Sequence, residues 1–242
     1  MFLWRLGLRL HRGLEPGEEK LVKPLPWSHT ALDDFTNCPR AYHAKRVVKS
    51  VKEEPTEALL WGNRVHKAFE LRLLQGTSLP AELAMHDTYL KGLSGLPGVA
   101  LTEQQIALDR SLQPCAWFGE RVWFRGVIDY IKLNEPKALV VDYKTGKMHN
   151  KFGQLKLFAL YVFAQHRLVD EVEVRYYWTQ THTATKAVYT RDQIPRLWAE
   201  FTPQLKQYAD AFRTDTWQPR QSGLCNGWCP VQSCEFWKPR RV

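Results

Sequence analysis

Apolar residues recur at helical spacing in several long stretches of this chain. In "TEALLWGNRVHKAFELRLLQG" the apolar positions Leu60, Val65, Phe69 and Leu73 fall on one side of a helix, and Gly76 follows them. Glycine is common just past a helix end because it adopts the left-handed conformation without a steric penalty. The pattern therefore predicts an amphipathic helix that ends at Gly76.

Other segments also have helical length or periodicity. The segment "SHTALDDFTNCPRAYHAKRVV" predicts a short helix capped by Thr30 with Asp33 three positions on, a break at Cys38, and a second helix that begins with Pro39. Three more helices are predicted in "LPAELAMHDTYLKGL", in "KFGQLKLFALYVFAQHRL" and, with a proline interruption, in "IPRLWAEFTPQLKQYADAF".

Strand character begins in the middle of the chain, where β-branched and aromatic residues replace the helical pattern. Strands are predicted in "QQIALDRSL", "ERVWFRGVIDYIKL", "KALVVDYK", "EVEVRYYWTQT" and "ATKAVYT". A helical segment separates the third strand from the fourth. The order of elements therefore predicts an α/β protein.

Composition adds order and a positive charge to this picture. The 242 residues are 44% hydrophobic and 12% aromatic, which is typical of an ordered globular protein. Lys and Arg number 34 against 25 Asp and Glu, so the net charge of +9 favours polyanionic partners. Residues 1–26 are basic and predict an extended arm. No apolar stretch is long enough to span a membrane, so we expect a soluble, cytoplasmic protein encoded by a bacterium or phage.

Two aspartates are expected to meet across a hairpin. If Leu133 and Ala138 close the hairpin around "NEPK", each facing pair of residue numbers adds up to 271, and Asp129 faces Asp142. Directly opposed residues have Cβ atoms about 4.5 to 5.5 Å apart. Facing like charges destabilise a sheet unless a cation compensates them, which favours a divalent metal site.

The residues around Asp142 complete this candidate site. Lys144 lies on the same strand face as Asp142, whereas the side chain of Tyr143 points away and leaves its carbonyl available to a metal. Lys144 could stabilise charge on a phosphate or orient a water molecule. The alternative is that Asp129 and Asp142 only cap strand ends and that Lys144 extends into solvent.

Taken together, these segments resemble the PD-(D/E)xK nuclease superfamily in its RecB-like branch. The resemblance runs through "SHTALDDFTNCPRAY", "WGNRVHKAFE", "GVIDYI", "VVDYKTGK" and "GQLKLFALY" to the cysteine-rich tail. It implies a restriction-endonuclease-like core, a central mixed β-sheet flanked by helices, with a helical N-terminal part. We expect the nuclease domain at 27–220 and a tail, 221–242, that packs back on the N-terminal helices.

The resemblance also implies roles for two helical residues. His66 in "GNRVHKAFE" matches the histidine that adds a metal ligand in exonuclease-like members, although a surface ion pair with Glu70 would also explain it. Gln154 matches the glutamine of the Q-x-x-x-Y motif, which lies near the active site, and Phe158 stands where that motif has tyrosine. Helical spacing alone would make Gln154 an ordinary polar residue of a first turn.

Four of the five cysteines form a further candidate site. Cys225, Cys229 and Cys234 lie close together in the tail, with spacing compatible with structural zinc or an iron-sulfur cluster. Cys38 matches the N-terminal cysteine of the AddB-type and CRISPR-adaptation-type nucleases, so the resemblance implies a [4Fe-4S] cluster, with zinc as second choice. Those families begin the trio with CxxC, whereas here the spacing is C-x3-C-x4-C. Cys115 is expected to be a small buried hydrophobic residue.

Basic residues predict contacts to DNA phosphates. The candidates are Arg40, Lys45, Arg46, Lys147 and Lys151. Unpaired bases could stack on Trp27, Trp61, Trp178 or Trp228, although core packing is the commoner role for each tryptophan.

The function expected from these residues and the resemblance is Mg²⁺- or Mn²⁺-dependent hydrolysis of DNA, from the ends of single-stranded or duplex DNA, in recombination, repair or phage DNA processing. The chain has no P-loop pattern, so a helicase or recombination protein would have to be a separate partner. The alternatives are a non-catalytic DNA-binding or scaffold subunit, a restriction-type endonuclease, and a metal-stapled RNA-binding module.

Overall fold

A five-stranded mixed sheet forms the centre of the protein, in a computed structural model that describes residues 24–240. The strands are β1 (Val99–Leu108), β2 (Phe124–Asn134), β3 (Lys137–Lys144), β4 (Glu171–Trp178) and β5 (Thr183–Thr190), and they lie in this order across the sheet. Only β3 and β4 pair in parallel. The predicted mixed sheet of an α/β protein is therefore confirmed.

Six α-helices surround the sheet in the described part of the chain. They are α1 (His29–Asn37), α2 (Pro39–Tyr42), α3 (Glu57–Gln75), α4 (Asp87–Ser94), α5 (Gly153–Gln165) and α6 (Ile194–Thr214). A π-helical turn, His43–Val47, continues α2, and a 3₁₀ turn, Ala81–His86, precedes α4. Most of the basic arm predicted at 1–26 lies outside the described residues, and none of the helices described is long and apolar enough to cross a membrane.

Helices cover both faces of the sheet. Helices α1, α5 and α6 pack over one face, where Val140 of β3 belongs to the core, and α3 and α4 pack over the other, where Val141 does. Because β3 is buried on both faces, its sequence is a nearly continuous apolar run without alternation. A charged pair within this strand, Asp142 and Lys144, is therefore unusual.

Two details of the helices differ from the sequence-based expectation. Ser28, not Thr30, caps α1: its hydroxyl accepts a hydrogen bond from the backbone N–H of Ala31 at 3.2 Å. Helix α6 continues through Pro203 without the predicted interruption. A proline in a helix interior costs about 3 kcal/mol, and burial of apolar residues such as Phe201 and Tyr208 on the same helix offsets that cost.

The cysteine-rich segment contacts the N-terminal helices. The backbone N–H of Arg220 donates to the Cys38 thiol at 3.5 Å, and its guanidinium donates to the Gln207 side chain of α6 at 3.1 Å. Arg40 of α2 forms an ion pair with Glu235. These contacts hold the two ends of the described chain against each other.

Candidate active site

The turn between β2 and β3 sets the geometry of the site. Leu133 pairs with Ala138 and Tyr130 with Val141, which is the register that the "NEPK" turn predicts. The pairing ends there, and Asp129 and Asp142 are the residues that follow this last pair, close enough for the charge of Asp129 to act on Asp142. Both carboxylates are buried, with 7% and 2% of their residue surfaces exposed. Two acidic groups therefore lie side by side with little access to water.

Asp129 also fixes the end of β3. Its Oδ2 accepts a hydrogen bond from the backbone N–H of Tyr143 at 2.6 Å, which replaces the backbone pairing that would otherwise continue along the sheet. The N–H and C=O of one strand residue point to the same side, so the Tyr143 carbonyl is directed toward β2. The Tyr143 ring packs on the opposite face against Phe69.

Lys144 is held by two neighbours at the end of β3. Its Nζ lies 2.6 Å from Asp142 Oδ2 and donates to Gln154 Oε1 at 2.8 Å. Gln154 is available there because α5 begins at Gly153, next to the site. Its partner at the next helical turn, Phe158, is 2% exposed and packs in the core. The ammonium is thus positioned by Asp142 and Gln154, with the Tyr176 ring 5.0 Å away.

Two further residues approach Asp129 from other elements. His66 of α3 lies with its Nδ1 3.1 Å from Asp129 Oδ1. On β1, Thr102 pairs with Tyr130 and Gln104 with Ile128, so the intervening Glu103 falls opposite Asp129. One ligand atom from each of His66, Glu103 and Asp129 lies within 4.8 Å of the other two, and all three are at least partly buried. Within the described residues this is the group of potential metal ligands that comes together.

Glu103 is the site residue that the sequence did not reveal. Its backbone has a φ of +46°, a left-handed conformation that is uncommon for a side chain other than glycine. Such strain is concentrated at functional sites. The only sequence signal is an acidic residue at the start of a strand. That signal cannot be interpreted until the register between β1 and β2 is known.

The electrostatics of the site reflect crowded negative charge. Burial and the neighbouring Asp129 raise the pKa of Asp142 to about 6, although Lys144 opposes this. Burial and Asp129 likewise raise the pKa of Glu103 to about 7. Burial would lower the pKa of His66, but its hydrogen bond to Asp129 and the surrounding carboxylates outweigh that effect and raise it. Every one of these shifts favours addition of positive charge to the site.

A divalent cation fits this arrangement. Glu103 Oε1 is buried and accepts no hydrogen bond from the described residues, whereas the buried Asp142 Oδ2 is ion-paired with Lys144 at 2.6 Å. Buried polar atoms are nearly always hydrogen-bonded, so the unpaired Glu103 oxygen beside Asp129 calls for a missing partner. Carboxylate oxygens with one imidazole suit Mg²⁺ or Mn²⁺ better than a soft metal.

Three of the four cysteines of the second candidate site are near one another, but they do not form a closed site. Electrostatic interactions connect the thiol of Cys229 with those of Cys38 and Cys225, and burial raises the pKa of Cys229. Within the part of the chain that the structure describes, no three of these thiols lie within 4.8 Å of one another. Cys115 is only partly buried, in the segment between β1 and β2, so the expected full burial is wrong.

The predicted DNA contacts divide into two groups. Arg40, Lys45 and Arg46 are each paired with a carboxylate, of Glu235, Glu53 and Asp34 respectively. Lys147 and Lys151 are exposed on the segment between β3 and α5 that borders the site.

The tryptophans proposed for base stacking also differ from one another. Trp27 and Trp178 are each 1% exposed and belong to the core, so stacking on unpaired bases is wrong for both. Trp61 is partly buried beneath Arg64, and Trp228 is 62% exposed beneath Arg240. Only the latter two keep surface that a base could reach.

Comparison with known proteins identifies the family. Residues 26–234 match the PD-(D/E)XK nuclease superfamily. A crystal structure of a candidate exonuclease from Eubacterium rectale covers 95% of this chain and 95% of its own, with a TM-score of 0.50 and 13% identity. A crystal structure of SSO0001 covers 84% of each chain, with a TM-score of 0.40 and 18% identity. A search of characterised protein sequences finds no significant match. The chain belongs to the PD-(D/E)XK nuclease superfamily.

Proposed function

We propose that this protein is a metal-dependent deoxyribonuclease that digests DNA from its ends. One observation carries the proposal: His66, Glu103 and Asp129 each bring a ligand atom within 4.8 Å of the other two, and Glu103 Oε1 is buried there without a hydrogen-bond partner among the described residues. The ion pair between Asp142 and Lys144 is close to this group and does not supply that partner. A centre that binds a metal ion and a phosphodiester accounts for the unpaired oxygen.

The metal ligands would come from four elements. His66 of α3, Glu103 of β1 and Asp129 of β2 supply side-chain atoms that already lie within 4.8 Å of one another, and the Tyr143 carbonyl is directed toward β2. Asp142 of β3 lies outside this group, paired with Lys144, and we propose it as the fourth ligand because its charge interacts with Asp129 and His66. A bound Mg²⁺ or Mn²⁺ would lower the pKa of a water molecule and neutralise the leaving oxygen. Since these ligands are fixed on a sheet and a buried helix face, they are preorganised for that ion.

The protein's own residues supply the rest of the chemistry. Lys144 presents its ammonium at the edge of a cleft of about 580 Å³ that Asn63, Thr145 and Gly146 also line. From there it can donate to a non-bridging phosphate oxygen and stabilise the charge that develops on it. Gln154 holds that ammonium in place through its amide oxygen at 2.8 Å. We therefore assign Lys144 to the phosphate and Gln154 to the positioning of Lys144.

Attack at DNA ends follows from the resemblance of the His66 motif to exonuclease-like members of the superfamily. A separate helicase or recombination protein would supply the DNA strand. Exposed Lys147 and Lys151 beside the cleft are suited to contact phosphates of that strand. A cytoplasmic role in recombination, repair or phage DNA processing is consistent with such a partner. The alternatives are an endonuclease of the restriction type and a non-catalytic binding subunit.

For the cysteine site we propose an iron-sulfur cluster ahead of zinc. Tetrahedral zinc with bonds of about 2.3 Å needs sulfurs that lie about 3.8 Å apart. Within the described residues no three of the thiols of Cys38, Cys225, Cys229 and Cys234 approach to 4.8 Å, whereas a larger cluster tolerates wider spacing. Backbone N–H groups already donate to the sulfurs of Cys38 and Cys225, as they do around metal-bound thiolates.

Cleavage of end-labelled DNA tests the nuclease. Linear single strands, linear duplexes and closed circles would be incubated with Mg²⁺, Mn²⁺ or EDTA. We expect metal-dependent loss of the linear substrates, with kcat at least about 100-fold lower in Asp142→Asn and Lys144→Ala. Lys186→Ala, which changes an exposed lysine on the edge strand β5, is the matched control and should match the wild type.

Each contrary result selects one alternative. Equal cutting of closed circles would make the enzyme an endonuclease. Cutting that persists in EDTA would contradict a metal-dependent mechanism. DNA binding without cleavage under any metal would leave a non-catalytic subunit.

A further inference from the structure

An aromatic pair beside the active site is the most exposed apolar feature of the described chain. Phe118 has 87% of its surface exposed, and its neighbour Trp117 is partly buried. The guanidinium of Arg125 lies over both rings, 5.5 Å from the centre of Trp117 and 5.7 Å from that of Phe118. The exposed ring of Phe118 offers a free face on which an unpaired base can stack.

The segment that carries the two rings is well held. Its ends are fastened to the strands by hydrogen bonds from Cys115 N–H to Ala107 O at 3.0 Å and from Trp123 N–H to Leu108 O at 2.8 Å. Between them, Gly119 N–H donates to Ala116 O at 2.9 Å and forms a turn that presents Trp117 and Phe118. The aromatic pair is therefore preorganised, which lowers the entropy lost on binding.

Arg125 connects the pair to the catalytic residues. It lies on β2 four positions before Asp129, and Val127 between them lines both the cleft beside Arg125 and the cleft that contains Asp129. At about 3.3 Å per residue the two Cα atoms are about 13 Å apart. Arg125 lines the neighbouring cleft, and its buried Nε donates no hydrogen bond to any described residue. A planar guanidinium at this distance is suited to contact a second phosphate of a bound strand through its terminal N–H groups.

The cleft between the aromatic pair and the catalytic residues has the charge of a phosphate path. Trp117, Arg125 and Gln154 line it, together with the basic residues Lys45, Arg46 and Lys49, of which Lys45 and Arg46 also form ion pairs with Glu53 and Asp34. No acidic residue of the described chain is among its lining residues. Val127 lines this cleft and also the one that contains Asp129, so the two clefts adjoin at this residue.

We propose that Trp117, Phe118 and Arg125 form a nucleotide-binding site for single-stranded DNA, in which an unpaired base stacks on Phe118 and its phosphate contacts Arg125. The site sets the strand in register for cleavage at Asp129. It rests on the proposed function, since it takes DNA as the substrate. A single strand is the occupant because a base inside a duplex has no free face to offer an aromatic ring.

Equilibrium binding in EDTA, where no cleavage is expected, tests the site directly. The probes are a labelled 20-nucleotide single strand of thymidines and a blunt hairpin duplex, compared in wild type, Phe118→Ala and Arg125→Ala. Base stacking on an aromatic ring predicts that Phe118→Ala weakens single-strand binding about five-fold or more and leaves duplex binding within two-fold. Leu168→Ala removes another exposed apolar side chain, 69% exposed beyond α5, and should bind both probes as the wild type does.

Two further measurements separate stacking from a structural effect. Loss of one phosphate contact in Arg125→Ala should reduce the slope of log Kd against log salt by about 0.7, whereas Phe118→Ala should leave that slope unchanged. A 2-aminopurine base in the strand should be quenched on binding to the wild type and not to Phe118→Ala. A merely structural role for the ring would not produce this combination.

The possible results distinguish this proposal from the nuclease itself. Wild-type binding by Phe118→Ala, or equal weakening for the single strand and the duplex, would overturn the stacking site even if the protein cuts DNA. If the wild type cuts nothing but Phe118→Ala loses single-strand binding selectively, the nuclease assignment falls and the binding site stands.

Discussion

Among single side chains, Glu103 is the most informative because its backbone is strained and its buried Oε1 has no hydrogen-bond partner among the described residues. Its carboxylate faces Asp129 across β1 and β2, and its pKa is raised to about 7 by burial and that neighbour. Such a group destabilises the fold in the absence of a compensating charge. Metal binding by the Glu103 carboxylate would supply that compensating charge.

Exchange of Glu103 for glutamine should separate metal binding from folding. We expect Glu103→Gln to raise the Mg²⁺ concentration needed for half-maximal cleavage by about ten-fold or more, since loss of a group that orients a ligand already has that effect. In EDTA the variant should be at least as stable as the wild type in urea denaturation, because repulsion with Asp129 is relieved.

The control for this variant lies in the same cleft. Glu70 also lines it but forms an ion pair with Lys67 at 2.7 Å, so Glu70→Gln should leave the metal dependence unchanged. An unaltered Mg²⁺ requirement in Glu103→Gln would remove Glu103 from the ligand set.

Among strands, β1 positions Glu103 only if it is correctly aligned on β2. The alignment begins at Gly98, which has a φ of +104° and lies so close to β2 that an added Cβ would be 2.0 Å from Leu133 O. Val99 then pairs with Leu133, and the register continues to Glu103. Gly98 is therefore the residue that lets the two strands meet at this register.

Gly98→Ala should destabilise the fold by about 1 to 3 kcal/mol or more, because the side chain requires both an unfavourable backbone conformation and a shift of β2. Urea denaturation followed by tryptophan fluorescence measures this change. Gly92→Ala in α4 is the control: its added Cβ meets no atom within 4 Å, and the variant should be more stable by up to about 1 kcal/mol. Equal stability of the two variants would contradict this account of Gly98.

Across the molecule, contacts between elements joined by a short turn could be predicted from the sequence. Contacts between elements that lie far apart in the chain could not. The register that leads to Asp129 and Asp142 can be predicted because one short turn joins β2 to β3, and the pairing follows it up to Tyr130 and Val141. Glu103 was missed because the longer segment 109–123 joins β1 to β2 and carries no comparable turn signal. Ion pairs between residues far apart in the sequence could not be predicted either: Glu235, the partner of Arg40, is 195 positions away.

The same limit applies to the ends of the chain, where the tail meets the N-terminal helices through Cys38, Cys229 and Arg220. A metal group held across these segments would contribute directly to folding.

Cys229→Ser should therefore abolish the iron content of anaerobically purified protein and accelerate hydrogen exchange in residues 221–240, while exchange in β3 stays unchanged. Cys115→Ser, which alters a cysteine outside the cluster, should retain the metal. Zinc in place of iron in the wild-type protein would show that the site binds zinc and not an iron-sulfur cluster. Wild-type protein without either metal would contradict the metal site, and hydrogen bonds such as those of Arg220 would then hold the tail.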